Sequence, residues 1–240
     1  YYGNIKPYDI PISQIYKIEV IKGNVSAVYG DAAVGGAINI ITKPSLSKDT
    51  ALGSIKYGSF GTREAVGSVS KKLGKLDVTF GYSNFKTDGF NAIRGSQKPG
   101  IFFNTDEDGF ERKAYYTKLS SKITNELSMN ASISNSDSVL DQDNFYNNFA
   151  APAVTSQADA DKYFYTFEST NKDSRLGFDY KYGLNSKFNS TYSKSKLNYN
   201  NFKNGVLSAT VGPKASEGSQ KAITFQNSTT IKTGRFSNSL

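Results

Sequence analysis

The chain has 240 residues and a formal charge of +8, with 29 Lys and Arg against 21 Asp and Glu, and it has no His, Cys or Trp. A Ser-His-Asp triad, a cysteine nucleophile, a His/Cys zinc site and a disulfide framework are therefore excluded. Hydrophobic residues make up only 37%, a level that favours disorder, but 16 Tyr and 16 Phe oppose that reading and suit antiparallel β-structure with wet surfaces.

No stretch reaches the roughly 18 consecutive apolar residues of a transmembrane helix, a test that a β-barrel passes untouched. The basic residues are spread along the chain without a Lys/Arg-rich run, so nucleic acid is not an expected partner. Tyr1 is preceded by no initiator Met and followed by no basic and apolar leader. Either an export signal has been removed or the chain is a fragment.

In chain order, residues before Pro44 are compact, apolar and punctuated by glycine. Ile18–Ile21 reads as a short strand ended by the turn pair Gly23-Asn24. Ser26–Gly30 reads as a turn, and Ala37–Thr42 as a strand covered on both faces. Lys43-Pro44-Ser45 breaks the pattern. From Ala51 onward, period-2 alternation recurs, best seen at Leu76, Val78, Phe80 and Tyr82 against Asp77, Thr79, Gly81 and Ser83. Similar runs at Tyr115–Ile123, Leu127–Ile133, Leu176–Tyr182 and Ile223–Ile231, with weaker ones between, give about nine strands. Lys162–Tyr182 is long for one strand.

Tight turns are expected at Lys72–Lys75, Thr124–Glu126, Gly183–Asn185 and Thr233-Gly234. Long polar loops are expected at about Lys86–Arg112, Ser134–Asp161 and Asn198–Ser219. Short and long connections alternate, except for the short Gly58–Thr62, and a transmembrane barrel produces that rhythm. An open nine-stranded sheet would leave its edge groups unpaired in hydrocarbon at several kcal/mol each, and bacterial barrels have even strand numbers. The chain is therefore expected to be incomplete.

Two local motifs fail on inspection. Gly30–Gly36 lacks the lysine and hydroxyl of a phosphate loop. Asn104-Thr105-Asp106-Glu107-Asp108-Gly109 opens like a calcium loop but has Tyr115 at the twelfth position in place of Glu. Its clustered oxygen ligands are still of the type that calcium accepts. Phe102, Phe103, Phe145 and Tyr146 fall in expected loops and are candidate substrate contacts, with packing of the loops on one another as the alternative. Tyr57 and Tyr82, at strand ends, suit an interfacial girdle.

The segment Ile15-Tyr16-Lys17-Ile18-Glu19-Val20-Ile21-Lys22-Gly23-Asn24-Val25-Ser26-Ala27-Val28-Tyr29-Gly30 continues as Asp31-Ala32-Ala33-Val34-Gly35-Gly36-Ala37-Ile38-Asn39-Ile40-Ile41-Thr42-Lys43. It resembles the end of the plug domain of TonB-dependent outer-membrane receptors. Tyr16 stands where the pattern has an acidic residue, and Asn24 where it has proline. Tyr57-Gly58-Ser59-Phe60-Gly61-Thr62 resembles that family's first barrel hairpin.

The resemblance implies an all-β membrane protein: an antiparallel transmembrane β-barrel, 22-stranded in the family, with the C-terminal part of an α+β plug. Residues 1–43 would be plug, 44–50 linker and 51–240 the first barrel strands. It implies energised uptake of a bulky solute, a corrinoid, ferric siderophore or haem, at the bacterial outer membrane. TonB, its inner-membrane energising complex and outer-membrane lipid would be the partners, and no residue would be catalytic.

By the same resemblance, Glu19 and Lys22 would hold the plug to the barrel. Asp106 and Asp108, and more loosely Asp143 and Asp159, would bind calcium in extracellular loops as in cobalamin-type receptors. The rival readings are a soluble or surface-exposed β-protein that binds glycans or mediates adhesion, a carboxylate glycosidase and a passive porin.

Overall fold

The computed structural model describes residues 15–26, 33–43, 49–91, 101–102, 106–142, 146–147, 165–183, 185–207, 215–233 and 236–239. Of the expected turn at Ser26–Gly30 all but Ser26, and of the expected break at Lys43-Pro44-Ser45 all but Lys43, lie outside them. β1 (Ile15–Lys22) and β2 (Gly36–Thr42) form an antiparallel hairpin of their own. The other large strands are β3 (Thr50–Tyr57), β4 (Arg63–Leu73), β5 (Leu76–Thr87), β7 (Phe110–Lys122), β8 (Leu127–Gln142), β10 (Tyr165–Tyr182), β11 (Ser186–Lys203), β13 (Ala215–Thr233) and β14 (Phe236–Ser239). Three two-residue strands lie in the connections: β6 (Ile101–Phe102), β9 (Tyr146–Asn147) and β12 (Val206–Leu207).

Among the described residues, nine large strands pair with their sequence neighbours in one antiparallel path from β3 to β14, matching the number expected. From β3 to β13 every register runs without a bulge. An unbroken register matters because a slip of one residue would turn every side chain to the opposite face. The stretch that seemed long for one strand is one strand, β10, of 18 residues. Gly74 and Gly183, at φ 63° and 60°, make the tight turns after β4 and β10, where a side chain would be strained.

This register sorts the side chains into two walls. On one face, Val69 lies opposite Phe80, Tyr82 opposite Tyr115, and Leu176 beside both Ala131 and Tyr192. Tyr192 is in turn opposite Ile223, and Phe178 lies opposite Met129. This apolar face is open to its surroundings: Ile55 is 71% exposed, Ile133 65% and Phe225 68%. The buried apolar residues among those described are only Ala33, Ala114, Tyr165 and Phe167. Such a sheet cannot derive its order from a water-excluding core, whereas an apolar outer band is what hydrocarbon requires.

The other face is polar and satisfied from strand to strand. Ser70 shares a hydroxyl hydrogen bond with Thr79 at 2.9 Å, and Ser138 with Ser169 at 2.8 Å. Asp179 accepts from Asn130 and Asn189 and pairs with Lys187 at 2.8 Å. Lys56 pairs with Glu64 at 2.9 Å.

Two sequence expectations need correction. The strands run further into the expected loops than alternation suggested: β5 extends to Thr87, β8 to Gln142 and β11 to Lys203. Past the apolar band both faces are wet, so no hydrophobic alternation marks these extensions, yet the backbone pairing continues. In the β1–β2 hairpin, Ala37–Thr42 was expected to be covered on both faces, but Ile38 is 68% exposed, as are Val20 and Ile18 in large part. That face has no cover among the described residues.

A lysine at Phe178, in the apolar band, is expected to destabilise the folded state in lipid vesicles by about 2–4 kcal/mol. A lysine at Ser128, on the polar face opposite Asp179, is expected to cost less than about 1 kcal/mol. Denaturant titration of the two variants in vesicles checks the assignment of the walls. Equal losses would reverse or abolish it.

Candidate functional site

Two polar regions stand out, one at the long-loop end of the sheet and one between the β1–β2 hairpin and the polar wall. The first is built on a backbone node. In the β3–β4 turn, Gly58 N donates to Thr62 O at 2.9 Å, and Phe60 and Gly61 both take positive φ, 57° and 61°. Phe60 is not glycine, so this geometry is held at a cost of order 1–3 kcal/mol.

The neighbouring strand holds it. Phe60 O accepts from Asp88 N at 2.9 Å and from Thr87 Oγ1 at 3.0 Å, and the Phe60 ring packs on Phe90 at 5.3 Å. Having donated to Phe60, the Thr87 hydroxyl accepts from Thr62 Oγ1 at 2.9 Å and from Gly89 N at 3.2 Å. One hydroxyl thus ties the first hairpin to the start of the first long loop.

The two ends of that loop then meet. A Cβ on Gly89 would sit 1.9 Å from Asp108 O, and Gly89 also has φ 77°, so no larger residue fits there. Beyond, Asp141 N donates to Gly109 O at 2.8 Å, which brings in the end of β8. Lys86, Thr87, Asp88, Glu107 and Asp141 line an open groove of about 360 Å³. Asp141 lies eight residues beyond Ile133 and so outside the membrane-crossing part of β8. Desolvation raises its carboxyl pKa above the ordinary value, the negative charges of Asp106 and Asp108 raise it further, and Lys86 opposes them.

The expected substrate contacts divide. Phe102 and Tyr146 are brought together as direct partners in the β6–β9 ladder, which links the first two long loops through their backbones. Phe103 and Phe145 lie outside the described residues, as do Asp143 and Asp159. Asp106 and Asp108 flank the groove-lining Glu107 and act on Asp141 through their charge, but among the described residues no group of three or more carboxylates gathers to hold a metal ion.

The second region is a cleft of about 600 Å³ between Asn39–Thr42 of β2 and the polar wall, where Lys118, Asp173, Arg175 and Ser195 face it. Lys118 Nζ donates to Thr42 Oγ1 at 3.0 Å and also to the Lys43 carbonyl. Glu19, expected to reach the barrel, instead pairs with Lys17 at 2.6 Å and accepts from Asn39 at 2.9 Å, both within the hairpin. The Lys17 ammonium, and secondarily the Asn39 amide, hold its pKa below the usual carboxylate value. Lys22 lies opposite Gly36 at the hairpin's far end.

Sequence reasoning missed Lys118 and Asp141. Lys118 is one of several cations on a polar strand face, and nothing in its spacing marks it. Asp141 was hidden because its strand was read as ending near Ile133.

No protein-family model matches the chain. It is 32% identical over 114 residues to the vitamin B12 transporter BtuB of Photobacterium profundum, covering 48% of this chain and 18% of that protein. It is 31% identical over 150 residues to the vitamin B12 transporter BtuB of Vibrio vulnificus, covering 61% of this chain and 23% of that protein. The matches thus span less than a quarter of those relatives' own length. Among solved structures, the open form of the ferric-catecholate import receptor Fiu from E. coli K12 shares the fold at a TM-score of 0.65 and 18% identity. That likeness covers 94% of this chain and 38% of the receptor. In sequence the chain is thus similar to part of two vitamin B12 transporters, and in fold to part of a ferric-catecholate import receptor.

Because Asp141 has a raised pKa in the folded state, folding binds protons as pH falls through its range, and the charged form opposes folding above it. Asp141→Asn is therefore expected to raise the thermal midpoint at neutral pH, with the gain vanishing below about pH 4. Midpoints for the variant and the unmodified protein across pH 3–8 check this. Gly89→Ala, blocked by the Asp108 backbone, is expected to lower the midpoint at every pH.

Proposed function

We propose that this chain is part of an outer-membrane receptor for energised uptake of a scarce, bulky solute of the corrinoid, ferric siderophore or haem type. The observation that carries the reading is the pairing of a separate hairpin, bonded through Thr42 and Lys43 to Lys118, with a sheet that is polar toward the hairpin and apolar away from it. A passive pore has no use for an internal obstruction. A soluble glycan-binding sheet has no use for an exposed apolar band. The vitamin B12 transporters, matched in sequence, favour a corrinoid; the ferric-catecholate receptor, matched in fold, keeps an iron chelate in view.

In this mechanism the laced loop roots at Phe60, Gly89 and Asp141 present a shaped rim to the solute. The solute would then bind between rim and plug. TonB, driven by the inner-membrane complex, would pull on the plug segment. The hairpin's attachment to the wall is polar, and polar contacts can be exchanged for water as the plug moves. No covalent step is required of the protein.

The test is uptake of labelled cobalamin, ferric catecholate and haem by cells that express the full-length protein as their only receptor, with and without TonB. TonB-dependent uptake of one of the three supports the reading, and no uptake of any of them overturns it. Calcium at Asp106 and Asp108 is a separate proposal, and what supports it is the run of hard oxygen ligands at Asp106-Glu107-Asp108 in the sequence. Millimolar calcium is expected to raise the thermal midpoint, and Asp106→Asn with Asp108→Asn to abolish that rise. An unchanged midpoint in the unmodified protein would discard it.

A further inference from the structure

The polar wall mostly matches its own donors and acceptors. Ser70 bonds Thr79, Ser138 bonds Ser169, and Lys56, Lys72 and Lys187 each have a carboxylate partner. One row, in the cleft between the β1–β2 hairpin and the wall, is different. There the register places Lys118 opposite Ser132, Ser132 opposite Arg175, and Arg175 opposite Ser193. All four line the cleft of about 600 Å³. Among the described residues, the exposed Arg175 guanidinium has no ion pair, and the Ser132 and Ser193 hydroxyls have no hydrogen bond. The row thus holds an excess of donors.

Lys118 is the one engaged member. Its ammonium donates to Thr42 Oγ1 at 3.0 Å and to the Lys43 carbonyl, and lies over the Tyr116 ring at 5.2 Å. Both acceptors are neutral. An ionised oxygen is the stronger partner for an ammonium, because Coulomb attraction adds to the hydrogen bond. Neighbouring strands lie about 4.8 Å apart, so Lys118 and Arg175 stand roughly 10 Å from one another with Ser132 between them. Both side chains are long enough to converge on one group held over that serine, and the guanidinium fork fits an oxyanion in particular. The nearby carboxylates leave the row positive. Asp173, one step outward on the same face of β10, lies opposite Ser134 and Ser195 and counters only one of the two cations. Glu19, on the hairpin, is already paired with Lys17.

We propose that Lys118 and Arg175, with the hydroxyls of Ser132 and Ser193, form a transit site for an oxyanion carried by the solute. The oxyanion takes Lys118 from Thr42 and the Lys43 carbonyl as the hairpin is displaced. Passage of the solute and release of the hairpin are then one exchange of partners at a single ammonium. Arg175 supplies the second cation that makes the exchange favourable, and it selects solutes that carry a phosphodiester, carboxylate or catecholate group.

The experiment measures initial TonB-dependent uptake and surface binding in cells expressing the full-length protein, with labelled cobalamin, haem and ferric catecholate as probes. Arg175→Gln is expected to cut the uptake rate about tenfold and to change the dissociation constant by less than about twofold, because the loss falls after binding at the rim. Arg175→Lys is expected to recover most of the rate. Lys122→Gln, which removes a cation of the same wall outside the cleft, is expected to change nothing. The probe whose rate falls identifies the oxyanion. An unchanged rate in Arg175→Gln, an equal loss of affinity, or a lysine variant no better than the glutamine one would each overturn the proposal. Amide exchange across Gly36–Thr42 gives a second readout. Lys118→Gln is expected to speed it and Arg175→Gln to leave it unchanged; faster exchange in Arg175→Gln would show that Arg175 serves the hairpin's packing, and would overturn the proposal as well. The inference rests on the uptake reading. If the unmodified protein takes up none of the three probes, both fall; if it transports one and Arg175→Gln keeps pace, only this inference falls.

Discussion

In hydrocarbon a backbone amide without a partner costs several kcal/mol, and no water is at hand to rescue it. The rest of this molecule depends on that constraint. It requires each strand to pair along its whole crossing, and from β3 to β13 the pairing runs without a bulge. A continuous register then fixes which side chains look outward, so the apolar wall and the polar wall follow from backbone bonding rather than from a packed core. Few apolar side chains are buried, and stability is distributed along the ladders.

The same logic explains what the sequence made legible. Leu76 to Tyr82 alternates cleanly because one face meets lipid and the other water, and strands of that kind could be counted from the residues. Tight turns could be read because Gly74 and Gly183 adopt backbone angles that other residues resist. The strands of the hairpin were legible twice, as the short apolar runs Ile18–Ile21 and Ala37–Thr42 and from their resemblance to a plug.

What escaped the reading shares a physical cause. Residues such as Ser134–Gln142 lie beyond the membrane, where both strand faces are wet and no period survives to be read. The node at Thr87 could not be foreseen, since a hydroxyl that serves three partners is defined by the approach of β3–β4 to the first long loop. Lys118 was hidden among equivalent cations, and its role comes from where the hairpin rests. Glu19 was expected to be a tether by its resemblance to the family's plug charges, and its described bonds, to Lys17 and Asn39, lie within the hairpin.

The overlong strands have one more consequence. β10 and β11 each run for 18 residues and β13 for 19. At about 3.3 Å per residue and a tilt near 40°, such strands rise roughly 45 Å, of which the apolar band accounts for about 25 Å. Some 20 Å of hydrogen-bonded sheet therefore stands clear of the hydrocarbon as a stiff collar. A membrane that thins or thickens shifts its grip on the apolar band, while the rim keeps its own dimensions. The spacing of the groups at the far ends of β10, β11 and β13 is in this way insulated from the lipid composition beneath them.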